Sequence, residues 1–340
     1  ILHQGDTTTL HSLAMRRVKP LAAMGSQNSK RQVKVDVMLK SAGTAIFIAL
    51  AIQIFFVGIL APRLPREVCR PGIQANETFS FPAKPILRVE NIDGTVRVQV
   101  NLVSDEIHII ARVRGYTESA EGHASAESYL PTLFAIEERE TVLRVVTEPG
   151  MRPDLLDLRV DYTIEVPPDT DISIDVSNGN VWVAEGCNDI SIEGNNSDIE
   201  VLRPGGTVSA KTVNGRINVL ECVKDVTLET VNGSIQASLS NGTLQASTIT
   251  GNIMATLLDA DIAACDLTSL NGSITLVMSD QMSVDMNAAT ECGLVRTNLA
   301  LTPEDVVTKR RRVYGRIGDG TTLVSANSMN GDIVIQRSAT

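Results

Sequence analysis

The sequence predicts an all-β protein: a parallel β-solenoid of 18–21-residue coils, with an antiparallel strand insertion near its N-terminal end and one transmembrane helix ahead of it. Three observations carry this. A short phrase recurs, as Asn214-Gly215-Arg216-Ile217, Asn232-Gly233-Ser234-Ile235 and Asn271-Gly272-Ser273-Ile274. Its first residue, the corner, falls at Asn178, Asn196, Asn214, Asn232 and Thr250 in steps of 18, then at Asn271 and Cys292 in steps of 21. A last corner falls at Asn330, after a longer insertion. On both sides of the corner apolar and polar residues alternate, the period-two signature of strands.

The columns sort by chemistry. Three residues past the corner stand Val181, Ile199, Ile217, Ile235, Ile253, Ile274, Val295 and Ile333. One further on the column is mixed and outward-facing: Trp182, Glu200, Asn218, Gln236, Met254, Thr275, Arg296 and Val334. Six before the corner stand Ile172, Ile190, Val208, Val226, Leu244, Cys265, Met286 and Val324. Two before it the column turns small and hydroxylic, with Thr212, Thr230, Thr248, Ser269, Thr290 and Ser328. Asn-Gly between strands ordinarily argues for a hairpin. The fixed period argues instead for a coil whose layers stack about 4.8 Å apart, like on like. Stacked Asn amides then hydrogen-bond along the axis, and Gly supplies the freedom that the bend needs.

Taken in order, residues 1–40 form a basic tail, rich in Ser and Thr over its first 35 residues and similar in composition to an organellar targeting segment. Residues 41–62 are the expected membrane helix; within them residues 43–61 carry no charge, long enough to span a bilayer. Residues 63–86, with Pro65, Pro71, Pro82 and Pro85, read as an extended linker. Residues 87–340 are the solenoid, with Asp93-Gly94 as the corner of its first coil. Alternating segments within 103–169 read as inserted antiparallel strands or a cap over a sticky edge.

Charge divides the chain. Through Arg70 it carries 10 basic and 3 acidic residues; the remainder carries 20 and 37. So acidic a body excludes nucleic acid as a partner. Flanking charges weakly favour an N-terminus inside and the solenoid on the extracytoplasmic side. Five cysteines cannot all pair, and Cys187 and Cys222 stand two coils apart, beyond disulfide reach. No zinc spacing occurs, and His3, His11, His108 and His123 all lie outside the repeats, so neither metal nor cofactor is expected. Lys309, Arg310, Arg311 and Arg312 form a candidate patch for an anionic partner, though such a run on a loop is more often simply solvated.

From about Leu87 onward the chain resembles the DUF4097 family, which carries the label of an adhesin. The resemblance rests on Asn91-Ile92-Asp93-Gly94-Thr95-Val96, on Tyr162-Thr163-Ile164-Glu165-Val166-Pro167, and on the serial Val-Asn-Gly-Ser-Ile units. Gly315-Arg316-Ile317-Gly318-Asp319-Gly320 before Asn330-Gly331 adds to it. Thr250 and Cys292 replace the usual Asn. The resemblance implies a β-solenoid, often joined to a membrane segment, and no catalytic residues.

The expected function is therefore a non-catalytic scaffold anchored in the lipid bilayer, with a protein or a glycan as partner. An accessory subunit of a mitochondrial inner-membrane complex is the alternative that the presequence-like start suggests. A cell-surface glycoprotein competes with it, through sequons at Asn76, Asn195, Asn232, Asn241 and Asn271. A polysaccharide-acting β-helix enzyme is disfavoured. Outward columns present carboxylates one at a time, and the neighbours Asp259 and Asp261 read as a solvated turn.

Overall fold

The computed structural model describes residues 73–116, 133–148, 156–302 and 311–338 of the 340-residue chain. The expected basic tail and membrane helix lie outside them. Among the described residues no helix is long and apolar enough to cross a membrane, and every regular element is a β-strand.

The corners bend coils rather than close hairpins. Strand Val208–Asn214 lies parallel to Ile190–Asn196 on one side and Val226–Asn232 on the other, so Asn214 stands beside Asn196 and Asn232. Past the corner, Ile217–Cys222 lies parallel to Ile199–Leu202 and to Ile235–Thr250, with Ile217 beside Ile199 and Ile235. A step of 18 residues is one layer. Inward columns fill the space between the two faces: Ile190, Ile192, Ile199, Ile217, Val219, Leu228 and Ile235 are all buried. Alternation on a pleated strand leaves the intervening residues outside.

The stack departs from chain order at both ends. Beyond Asn271 the next layer is the last one in sequence: Asn271 stands beside Asn330 and Ile274 beside Ile333. The Cys292 coil lies outside that, with Thr290 beside Ser328 and Val295 beside Ile333. The insertion ahead of the final corner explains the detour. Its strand Arg312–Ile317 runs antiparallel along Val284–Thr290 and covers that edge, before the chain re-enters between two layers already laid down. Unpaired edges invite foreign strands; the added strand is the new edge, and it is short and carries the exposed charges Arg312 and Arg316, which blunt that hazard.

The N-terminal end repeats the arrangement and corrects two expectations. The Asp93 coil is not the outermost one. Ile86–Asp93 and Val96–Val100 meet Asp171–Asn178 and Val181–Val183 on one side; on the other they meet Val142–Thr147 and Leu156–Val166, parallel to both. Those last two strands, expected to be antiparallel, thus form a further layer. Glu106–Tyr116 and Phe134–Glu138 are the antiparallel covers. Residues 73–82 are no linker either: Ile73–Pro82 pairs antiparallel with Glu106–Tyr116 along its whole length. Its alternate residues Ala75, Phe79 and Phe81 pack against the core, and Pro82 ends the strand. The proline count hid that alternation.

A Cβ added at Gly233 would stand 1.7 Å from the carbonyl oxygen of Gly215 in the layer below. Gly233→Ala is therefore expected to cost on the order of 3 kcal/mol, and Ser234→Ala under about 0.5 kcal/mol, by calorimetric unfolding. Similar losses at the two positions would contradict the layer contact.

Candidate functional site

The corner residues singled out from sequence are structural. Asn196 Nδ2 donates to Asn178 Oδ1 at 2.7 Å, Asn214 to Asn196 at 2.8 Å, and Asn232 to Asn214 at 2.9 Å. Thr250 interrupts this ladder, and Asn330 resumes it by donating to Asn271 at 2.8 Å. Asp93 aligns with Asn178 at its lower end. Cys292 is exposed at the far end, where its amide donates to Met329 O at 2.9 Å.

Beside the ladder runs a second one, invisible to column chemistry alone. The hydroxyls of Thr230, Thr248, Ser269 and Ser328 each donate to the corner carbonyl of the layer beneath: Gly215, Gly233, Gly251 and Gly272, at 3.0–3.3 Å. Thr290 does the same to Gly331 at 2.8 Å. In the Asp93 layer Asn91 takes the hydroxyl's place, donating to Val160 O at 2.9 Å. Buried hydroxyls need partners, and the corner carbonyl beneath supplies one, so the bend accepts a small hydroxylic residue two before the corner; Val176 fills that place without a hydroxyl in the Asn178 layer. The Asn196 layer swaps the two volumes. Gly194 stands where Thr would, and Ser197 where Gly would, its hydroxyl donating to Val176 O at 3.4 Å.

The surface able to take a ligand lies on the opposite side of the post-corner strands. A groove of about 550 Å³ runs across the layers, between the outward column from Arg97 to Met254 and the column two past the corner, from Thr95 to Asn252. Parallel register sets its floor in order: Arg97, Trp182, Glu200, Asn218, Gln236 and Met254, one per layer. The Arg97 guanidinium sits 5.2 Å from the centroid of Trp182, the only tryptophan of the chain. On the rim Asp198 Oδ1 accepts the Arg216 amide at 2.7 Å, and its other oxygen faces the Arg216 guanidinium at 3.8 Å. Asn218 Oδ1 is buried and, among the described residues, has no hydrogen-bond partner. Sequence reasoning named Trp182 as outward but left it unread. The same phase applied to the Asp93 corner puts Arg97 beside it.

On the pre-corner face, Glu90, Asp175, Glu193 and Lys211 stand in adjacent layers. Arg144 grips Glu90 with two hydrogen bonds, 2.9 and 2.7 Å, which holds the Glu90 carboxyl below its ordinary value. Asp175 stands at the exposed face of its strand; partial desolvation first, then the charges of Glu193 and Glu90, push its carboxyl up, with Arg88 opposing them.

Among the described residues no group of three or more His, Cys, Asp or Glu is placed to hold a metal. Asp259 and Asp261 are exposed, and Asp259 Oδ1 accepts the amide of Ala260. Of the basic run, Lys309 and Arg310 lie outside the described residues. Arg311 and Arg312 are exposed at the start of the cover strand. Cys187 and Cys222 are free and buried, and burial pushes both thiols up to about 12.

The model of the family described as Toastrack DUF4097 matches residues 158–336, more than half of the chain. The chain belongs to the Toastrack DUF4097 family. Its match begins within Leu156–Val166, so the layer built on Asp93 lies ahead of the matched stretch. No curated protein matches the chain. Similar solved structures include a "putative adhesin" from Bacteroides fragilis at 11% identity and a TM-score of 0.43, covering 78% of this chain and 97% of that one. A second "putative adhesin", from Parabacteroides distasonis, has 12% identity and a TM-score of 0.44, with 78% and 98% coverage. A "putative lipid binding protein" from Parabacteroides distasonis has 11% identity and a TM-score of 0.35, with 79% and 98% coverage.

The Toastrack layers give a pH test on the acidic column. A carboxyl held above its ordinary value is costly when ionised; below the unfolded-state value it is protonated in both states and the cost vanishes. Asp175→Asn is expected to raise the melting temperature at pH 7, with the gain fading as pH falls toward about 4 and absent below it. An unchanged or lower melting temperature at pH 7 would contradict this reading of Asp175.

Proposed function

We propose that this Toastrack protein is a non-catalytic binding scaffold, tethered by residues 41–62 to a membrane and presenting its grooved face on the extracytoplasmic side. The observation that carries the reading is the separation of duties across each strand. Inward residues, corner amides and hydroxyls hold the layers together, while the outward column from Arg97 to Met254 runs through a cation, an indole, a carboxylate, two amides and a thioether. Solenoids build extended recognition surfaces from such columns. The groove's carboxylates support binding over catalysis, since Asp198 is already committed to the Arg216 amide on the same rim.

A second reading rests on the basic, acid-poor start of the chain: an accessory subunit of a mitochondrial inner-membrane complex. Endoglycosidase treatment of the native protein separates the two, because a mass shift at Asn76 or Asn241 rules out the mitochondrial reading.

For the scaffold itself, the full chain is expected to stay in the membrane pellet through alkaline carbonate extraction and to leave it when residues 41–62 are deleted. Crosslinking in native membranes is expected to give an adduct that Trp182→Ala abolishes and Ser247→Ala, on the other face, retains. Release of the full chain by carbonate would sink the tether. An adduct indifferent to Trp182 would sink the grooved face as the binding surface.

A further inference from the structure

Resting on the scaffold reading, we infer that the groove over Trp182 is a binding site for an uncharged oligosaccharide chain lying along the solenoid axis. Four observations converge on that ligand class.

The first is the platform. The single tryptophan is half-buried on an outward face, between Arg97 and Glu200 of the neighbouring layers, with the Arg97 guanidinium over one side of its ring. An indole face offers apolar area and a negative quadrupole at little conformational cost. The C–H face of a pyranose ring fits such a surface.

The second is the orphan acceptor. Leaving a buried carbonyl unpaired is costly, and each case in a folded protein calls for a reason. Asn218 Oδ1 stands two layers from Trp182 on the groove floor. The Asn218 side chain is half-exposed, so a turn of its amide would bring Oδ1 out to accept from a ligand hydroxyl.

The third is the balance of the walls. Arg97 and Arg216 are matched by Asp198 and Glu200, and the remaining polar positions are amides and hydroxyls: Asn180, Ser234, Gln236 and Asn252. A polyanion would meet the carboxylates and a polycation the guanidines. A chain of hydroxyls meets donors and acceptors alternately.

The fourth is the pitch. Layers repeat about every 4.8 Å, close to the length of one hexose, so successive rings meet successive layers from Trp182 to Met254. A peptide is the weaker fit. The groove lies on a sheet face, where backbone hydrogen bonds are already used between the layers and strand addition has no edge to join.

Trp182 is also the reporter. Its fluorescence is titrated in the full chain in detergent with linear hexamers of β-1,4-glucose, β-1,4-N-acetylglucosamine and α-1,4-glucose. A sulfated hexasaccharide and a mixed-sequence decapeptide serve as rivals. At least one neutral hexamer is expected to give a saturable change, with its disaccharide binding at least tenfold more weakly because it reaches fewer layers. Asn218→Leu is expected to weaken binding about tenfold without lowering the melting temperature, since it removes an unpaired acceptor. A merely structural Asn218 would instead show lost stability and unchanged affinity.

No response to any neutral hexamer, or a response only to the sulfated chain or the peptide, overturns the inference. So does binding by calorimetry that survives Trp182→Ala. Should the Trp182-dependent crosslink persist while every neutral hexamer is silent, the scaffold reading stands and the glycan falls. Loss of both would remove the groove from either role.

Discussion

Corner backbone packed on corner backbone is the contact on which the rest of this structure depends. At Gly233, Gly251 and Gly272 a Cβ would stand 1.7–1.9 Å from the carbonyl oxygen of the glycine below. That oxygen also receives the hydroxyl of Thr230, Thr248 or Ser269 from inside the bend. One carbonyl therefore sets both how closely two layers approach and which side chain lines the bend. Once the layers sit at strand spacing in register, the Asn ladder and the aliphatic columns follow, because like residues then lie one above another. The Asn196 layer obeys the rule while breaking the motif: Gly194 and Ser197 exchange volumes and the hydroxyl still finds a carbonyl.

The same register leaves an outward surface free to vary without dedicating any fold feature to it. Inward positions are tied to their neighbours above and below, and corner positions are tied to the ladder. The position between two inward residues touches only its own column, so Trp182, Glu200, Asn218 and Gln236 differ freely. Where the column met a requirement of its own, the structure shows a mark of it. Arg97 lies over Trp182, and Asn218 keeps an acceptor unpaired. The pre-corner face is the contrasting case. There the outward column pairs charge with charge at Arg144 on Glu90 and Lys211 on Glu229, while Asp175 stands beside the like charges of Glu193 and Glu90.

Much of this was legible in the residues. An 18-residue step with aliphatics at fixed phases leaves only a coil, and the register of Ile199, Ile217 and Ile235 agrees with it. Layer order was not legible, because a period says where a corner falls and not where its layer is inserted. Asn330 follows Cys292 in the chain yet lies beneath it, since a cover strand occupies the outer edge first. Strand Ile73–Pro82 was not legible because the prolines around it, Pro65, Pro71 and Pro85 with its own Pro82, signal a linker, although Phe79 and Phe81 alternate as a strand requires. Of the groove, the column from Trp182 to Met254 was visible, while Arg97 and the unpaired acceptor were not. Arg97 belongs to a corner with Asp in place of Asn, and an unpaired acceptor leaves no trace in a sequence.

The central claim is that Asn-Gly corners turn the chain into the next face of one layer and do not fold it back on itself. Nitroxide pairs at cysteines introduced for Asn218 and Gln236, and separately for Glu229 and Gln236, test it by dipolar broadening, with Cys69 and Cys292 replaced by serine. Residues 218 and 236 are neighbours in adjacent layers; residues 229 and 236 would face each other only across a hairpin closed at Asn232-Gly233. Strong broadening for the first pair and weak broadening for the second is the expected result. The reverse would contradict the coil.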